Sequence, residues 1–98
     1  MSPEVSEVIR ILSSLKAEIK ARFKTDLKGV FGSFARSEAT PDSDIDILVD
    51  FLPSANLFDM AELTLYLEDK LHRNIDLVPE SGIRKELRQI ILQEAIML

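Results

Sequence analysis

The sequence contains no cysteine, which removes disulfides, thiolate zinc sites and cysteine nucleophiles from consideration. Basic residues are outnumbered: 12 Lys and Arg against 17 Asp and Glu leave a formal charge of -5. Holding nucleic acid by counterion release needs a basic face that neutralises phosphates. A direct nucleic-acid interface is therefore not expected, and any nucleotide should be bound through metal. The one histidine, His72, follows an amphipathic stretch where a cation suits a helix dipole, and it reads as a surface residue. No apolar run approaches membrane-spanning length, and Met1-Ser2-Pro3-Glu4-Val5 lacks the basic and apolar regions of a signal peptide. No membrane contact is expected, and the cytoplasm is the default location. Repeats and low-complexity tracts are also missing. The chain has 98 residues, 46% hydrophobic and 30% charged, enough for one core and too few for two, so residues 1–98 should form one domain.

Hydrophobic periodicity supplies the elements. Val5, Val8, Ile9, Leu12, Leu15, Ile19 and Phe23 recur every three or four positions, predicting a helix over 3–24 with Ser2 as cap and Pro3 at its first position. Lys28 to Gly32 reads as a short strand ending in glycine, and Ser33 to Glu38 as a brief helix. From Asp44 to Phe51 the pattern alternates, with Ile45, Ile47, Val49 and Phe51 on one face and Asp44, Asp46, Leu48 and Asp50 on the other. Pro53 ends this strand. Asn56 caps a second long helix whose expected buried stripe is Leu57, Met60, Leu63, Leu67 and Leu71. Asn74 to Val78 is a third strand, closed by Pro79. Ser81 is expected to cap a last helix with Ile83, Leu87, Ile90 and Ile91 inward, and the apolar end Ala95-Ile96-Met97-Leu98 either packs on the core or forms a contact surface. Helices and strands in this order give a small α/β fold with helices against a short sheet.

The chemistry is concentrated in two segments. Asp44 and Asp46 are two apart on a strand, so their carboxylates share a face with Cα atoms roughly 6.5–7 Å apart. Such a pair repels unless a cation lies between, and oxygen donors with no histidine or cysteine nearby suit Mg²⁺ or Mn²⁺ rather than zinc. An isolated Asp-x-Asp is more often a solvated strand edge; its neighbours change the reading. Asp76, inside Ile75-Asp76-Leu77-Val78, either faces solvent beside Asn74 or completes an acidic triad from an adjacent strand. Gly32 lets backbone approach a ligand closely, Ser33 adds a hydroxyl donor, and Arg36, about one turn on, can present a cation to the same anion. A phosphate-binding turn followed by paired metal-binding acids is what nucleotidyl transfer from a nucleoside triphosphate requires. Asp42, Asp44 and Asp46 imitate the start of an EF-hand loop, but its required glycine and terminal glutamate are replaced by Ile47 and Pro53, which argues against calcium sensing.

Phe31-Gly32-Ser33-Phe34-Ala35-Arg36, a ten-residue gap after Ser33, and Ser43-Asp44-Ile45-Asp46-Ile47-Leu48-Val49 resemble the minimal nucleotidyltransferase family of the DNA-polymerase-β-like superfamily, and within it the MntA-type antitoxins. The resemblance runs from about Val30 to the carboxyl end and puts Asp76 in the place of the third acid. It implies a small nucleotidyltransferase fold with a short mixed sheet, two Mg²⁺ ions and ATP as substrate. Asp44 and Asp46 would serve both metal ions, and Asp76 the one that activates the attacking hydroxyl. Gly32, Ser33 and Arg36 would hold the phosphates. It further implies AMP transfer to a tyrosine of a cognate HEPN ribonuclease toxin, silencing it. One position departs from the family pattern: Ser37 stands where glycine usually follows the arginine.

Two other expectations are compatible with the same residues. A stoichiometric antitoxin would keep the fold and neutralise its toxin by occupying it. A small-molecule nucleotidyltransferase would need an acceptor pocket, which a homo-oligomer could build across its interface.

Overall fold

The computed structural model describes residues 1–98. Helix α1 (Pro3–Phe23) starts where Pro3 fits the first turn and Ser2 Oγ accepts from the Val5 amide at 3.2 Å. Strand β1 (Thr25–Phe31) leads into a single helical turn, α2 (Gly32–Ala35), and after a loop into β2 (Ile45–Phe51). Helix α3 (Leu57–Leu71) is closed at its start by a capping box, in which Asn56 Oδ1 accepts from the Asp59 amide and Asp59 Oδ2 from the Asn56 amide, both at 2.9 Å. Strand β3 (Ile75–Pro79), a 3₁₀ turn (Glu80–Gly82), helix α4 (Lys85–Glu94) and strand β4 (Ile96–Met97) complete the chain.

The four strands form one mixed sheet in the order β3-β2-β1-β4, with β2 and β3 parallel and the other pairs antiparallel. Helices α1 and α3 cover one face and share a core with it: Val5, Leu12 and Ile19 of α1 and Leu63 and Leu67 of α3 pack with Leu27, Ile45, Ile47 and Val49 of the strands. The alternation in β2 holds except at Leu48, which is fully buried on the opposite face and outside that core. There β2 meets the 3₁₀ turn, and α2 meets α4. The second face is thus only partly roofed, and its open part carries the acids.

The structure departs from the sequence reading at four places. Strand β1 begins at Thr25, because Thr25 and Leu27 face inward while Asp26 and Lys28 alternate outward and pair with each other at 3.4 Å. Ser81 lies in the 3₁₀ turn, and α4 begins at Lys85 with no side-chain cap. None of its residues is fully buried, and Leu87 and Ile90 are exposed rather than inward. Leu57, expected in the stripe of α3, is exposed at its first turn. The apolar carboxyl end pairs as β4 beside β1, where Gly29 leaves room: a Cβ there would lie 2.9 Å from the Ile96 carbonyl oxygen.

Three non-glycine residues adopt left-handed backbone conformations: Lys24 and His72 at helix ends, and Ser37 at φ 62° just after the α2 turn. A side chain is costly there, which gives the replacement of glycine at position 37 a physical consequence. Ser37→Gly is expected to raise stability by about 0.5–1 kcal/mol, read as a higher urea midpoint at unchanged slope. Ser37→Val should move the midpoint the other way.

Candidate active site

Parallel pairing of β2 and β3 sets Asp46 directly beside Asp76, just as it sets Ile45 beside Ile75. Register partners share a face, so the two isoleucines enter the core and the two carboxylates emerge together on the open side. On the other flank of β2, Asp46 pairs with Phe31, the last residue of β1. The chain then turns at Gly32, with φ 79°, and a Cβ on Gly32 would come within 2.2 Å of Asp46 Oδ2. The positive φ favours glycine, and any side chain here would have to push the Asp46 carboxylate aside. A row therefore crosses the sheet: the Gly32-Ser33 turn, then Asp46, then Asp76.

Asp44 lies just before β2, exposed at the end of the loop over 36–44. Its charge still reaches Asp46, whose carboxyl is pushed above the usual range by partial burial first, then by the charges of Asp76 and Asp44 and by hydrogen bonding with Asp76; Arg36 opposes this weakly. The three expected acids are brought to one region, although no three Asp, Glu or His side chains close on a common point at ligand distance. Crowded carboxylates beside a glycine turn fit a hard divalent cation, which would offset their mutual repulsion.

Ser33 and Arg36, the residues expected at the phosphates, differ in their surroundings. Ser33 is half-buried in the α2 turn beside Gly32. That turn spans four residues, too few for an appreciable macrodipole, so phosphate contacts would come from individual amides and the hydroxyl. Arg36 is exposed and already engaged, with Nε donating to Glu38 Oε2 and Nη1 to Glu94 Oε2, each at 3.1 Å. Exposed ion pairs of this kind are weak and screened by salt, so a triphosphate can displace them.

The sequence reading missed Arg73. Its side chain is largely buried: Nη1 donates to Glu4 Oε1 at 2.8 Å, and Nη2 donates to the Thr40 and Ser43 carbonyl oxygens, each at 3.0 Å. The guanidinium lies over the Phe34 ring, 5.1 Å from its centroid. One side chain thus ties the start of α1, the loop delivering Asp44, and the turn carrying Gly32 and Ser33. Nothing in its local pattern, an arginine between His72 and Asn74, marks this role.

A glycine turn set against paired acids on a mixed sheet is the architecture of a nucleotidyltransferase. Residues 12–98 match the nucleotidyltransferase domain family, and the chain belongs to that family. It is 40% identical over 92 residues to the protein adenylyltransferase MntA of Thermococcus cleftensis, covering 94% of this chain and 93% of that one. A solved structure provisionally described as a minimal nucleotidyltransferase superposes with a TM-score of 0.78 at 41% identity, over 94% of both chains. A toxin–antitoxin crystal structure with AMP-PNP shares the fold at a TM-score of 0.64 and 23% identity, over 95% of this chain and 70% of that one.

Two outcomes follow. Because the folded carboxyl of Asp46 holds its proton to higher pH than the unfolded one, the folded state binds more protons across that window, and stability falls as pH rises through it. Asp46→Asn is therefore expected to melt higher than the parent at pH 7 without metal, with the difference closing below the ordinary carboxylate range. Arg73→Met should lose about 2 kcal/mol, and Arg73→Lys should recover only part of it, since an ammonium cannot reproduce the guanidinium fork; chemical denaturation reads both.

Proposed function

We propose that this chain is an Mg²⁺-dependent adenylyltransferase that moves AMP from ATP onto a protein hydroxyl, a tyrosine of a cognate HEPN ribonuclease toxin, and so acts as the antitoxin. The observation that carries the reading is the register pairing of Asp46 with Asp76 beside the Gly32 turn. The name of the Thermococcus relative supports protein as acceptor. A toxin–antitoxin of the same fold, solved with AMP-PNP, supports the nucleotide and the kind of partner. The reading takes residues 1–98 as one domain acting in the cytoplasm, where such a toxin would meet RNA.

Asp44, Asp46 and Asp76 would hold the metal. Bound there, Mg²⁺ supplies charge neutralisation at the phosphates and a lowered pKa for the attacking hydroxyl. The remaining work falls to the chain itself. Gly32 admits the phosphates close to the backbone, and Ser33 donates a hydroxyl to them. Arg36, released from Glu38 and Glu94, places positive charge where pyrophosphate departs. The acceptor oxygen forms a bond to the α-phosphorus as the bond to the pyrophosphate oxygen breaks, and the hydroxyl proton passes to solvent water. Asp76, on the side of Asp46 away from the Gly32 turn, is the acid nearest an incoming hydroxyl. An in-line displacement would place the leaving group at the Gly32 end of the row described above and the nucleophile at the Asp76 end.

Incubation with ATP, Mg²⁺ and a cognate HEPN ribonuclease is expected to add the mass of AMP to a toxin tyrosine, and chelation with EDTA should abolish the addition. Asp44→Asn with Asp46→Asn should slow transfer by roughly 100-fold or more and end neutralisation. A stoichiometric binder would keep neutralising with both asparagines in place, and that result would defeat the enzymatic reading.

A further inference from the structure

Helix α3 presents an apolar surface that nothing in the chain covers. Leu57, Phe58 and Leu65 are 76%, 79% and 67% exposed. Beside them a groove of about 490 Å³ runs between α3 and β3, walled by Leu57, Met60, Leu65 and Leu77 and reaching Asp76. Strand β3 is the outer strand of the sheet, so this wall is also a free sheet edge. The Asn74 carbonyl faces β2, where it accepts from the Ile45 amide. Alternation then turns the Ile75 and Leu77 amides outward, and that of Ile75 meets Glu68 Oε2 at 3.4 Å.

We propose that this groove seats the acceptor protein, through a segment with an apolar face bordered by Lys or Arg that delivers its hydroxyl residue to Asp76. The inference rests on the adenylyltransferase reading and adds to it where the acceptor docks and what it must look like. Position argues for it first. The Gly32-Ser33 turn lies on the β1 side of Asp46, so the triphosphate occupies that side, and an in-line nucleophile must enter from the β3 side, where the groove opens. Continuity is the second argument, since Asp76 belongs both to the acid pair and to the groove. Charge is the third. From Leu57 to Asp69, α3 carries Asp59, Glu62, Glu68 and Asp69 and no Lys or Arg. Glu62 and Asp69 lie three and four positions from Leu65, beside it on the helix surface. An apolar strip with acidic borders suits a basic amphipathic segment and disfavours an anionic nucleotide.

The test compares the parent with Leu57→Ser/Leu65→Ser, whose exposed positions leave the core untouched. The HEPN ribonuclease above is the acceptor probe. Its affinity is measured by calorimetry in the Asp44→Asn/Asp46→Asn background, where no turnover intervenes, and ATP affinity is measured with Mg²⁺ in the unsubstituted acids. The serine variant should bind the ribonuclease at least about tenfold more weakly, bind ATP within about twofold of the parent, and keep its melting temperature; added salt should weaken the parent complex. Unchanged ribonuclease affinity, or no binding by the parent, overturns the proposal. So does weakened ATP binding with acceptor affinity intact, which would place the base in the groove, or dissociation of a homodimer by the serines with acceptor affinity intact. AMP transfer by the parent is scored separately. Groove-dependent binding without transfer defeats the enzymatic reading alone, and transfer insensitive to the serines defeats the docking alone.

Discussion

Two carboxylates held side by side by a parallel strand pair are the constraint around which this small fold is arranged. Asp46 and Asp76 are neighbours because β2 and β3 run in the same direction in that register. Parallel strands cannot be joined by a tight turn and need a crossover, which here is α3. The helix is therefore part of the site without contributing a proposed ligand. Its capping box fixes where the crossover starts, and the left-handed conformation of His72 fixes where it returns to the sheet. A slip of one residue in β3 would turn Asp76 into the core and bring Ile75 out. The buried Ile45-Ile75 pair opposes that slip, so apolar packing on one face enforces acid proximity on the other.

Holding like charges together costs stability, and several features limit the cost. The acidic face is only partly roofed, which leaves solvent access to the carboxylates. Gly32 brings the backbone against Asp46 without a side chain between them. Arg73 fixes the loop ahead of Asp44 through two carbonyl oxygens, so the third acid is positioned from outside the cluster. The raised pKa of Asp46 records its partial burial first and then the repulsion that remains. Local destabilisation of this kind is expected where binding energy must later be recovered by a cation.

Much of this was legible in the sequence because its signals are local. A period of two across β2 and a period near 3.6 across α1 reported which residues enter the core. The Gly-Ser and Asp-x-Asp segments pointed to a phosphate turn and paired acids. Asp76 was ambiguous by itself, since strand register is decided by a crossover and not by spacing; resemblance to a family, not periodicity, separated the two readings. Helix α4 was misread for a different reason. Its apolar stripe is real, but amphipathicity reports only that a face prefers cover, and Leu87 and Ile90 remain exposed. The same confusion explains Leu57 at the start of α3. Arg73 was invisible because its partners at Glu4, Thr40 and Ser43 are brought to it only by the tertiary fold.

Charge also explains how a strongly acidic chain can handle an anionic substrate. A triphosphate placed as proposed would face Asp44, Asp46 and Asp76, with Arg36 shared between Glu38 and Glu94. In the bare protein that approach is repulsive. Under the proposed reading it would become attractive once divalent cations neutralised the carboxylates and a phosphate competed for the guanidinium. Because Glu94 lies at the end of α4, just ahead of β4, release of Arg36 removes a side-chain tie between the phosphate turn and the carboxyl-terminal helix. If Arg36 contacts phosphate as proposed, nucleotide capture and the seating of α4 would be linked through one arginine: whatever stabilises the Arg36-Glu94 pair would weaken phosphate binding, and bound phosphate would weaken that pair by the same free energy.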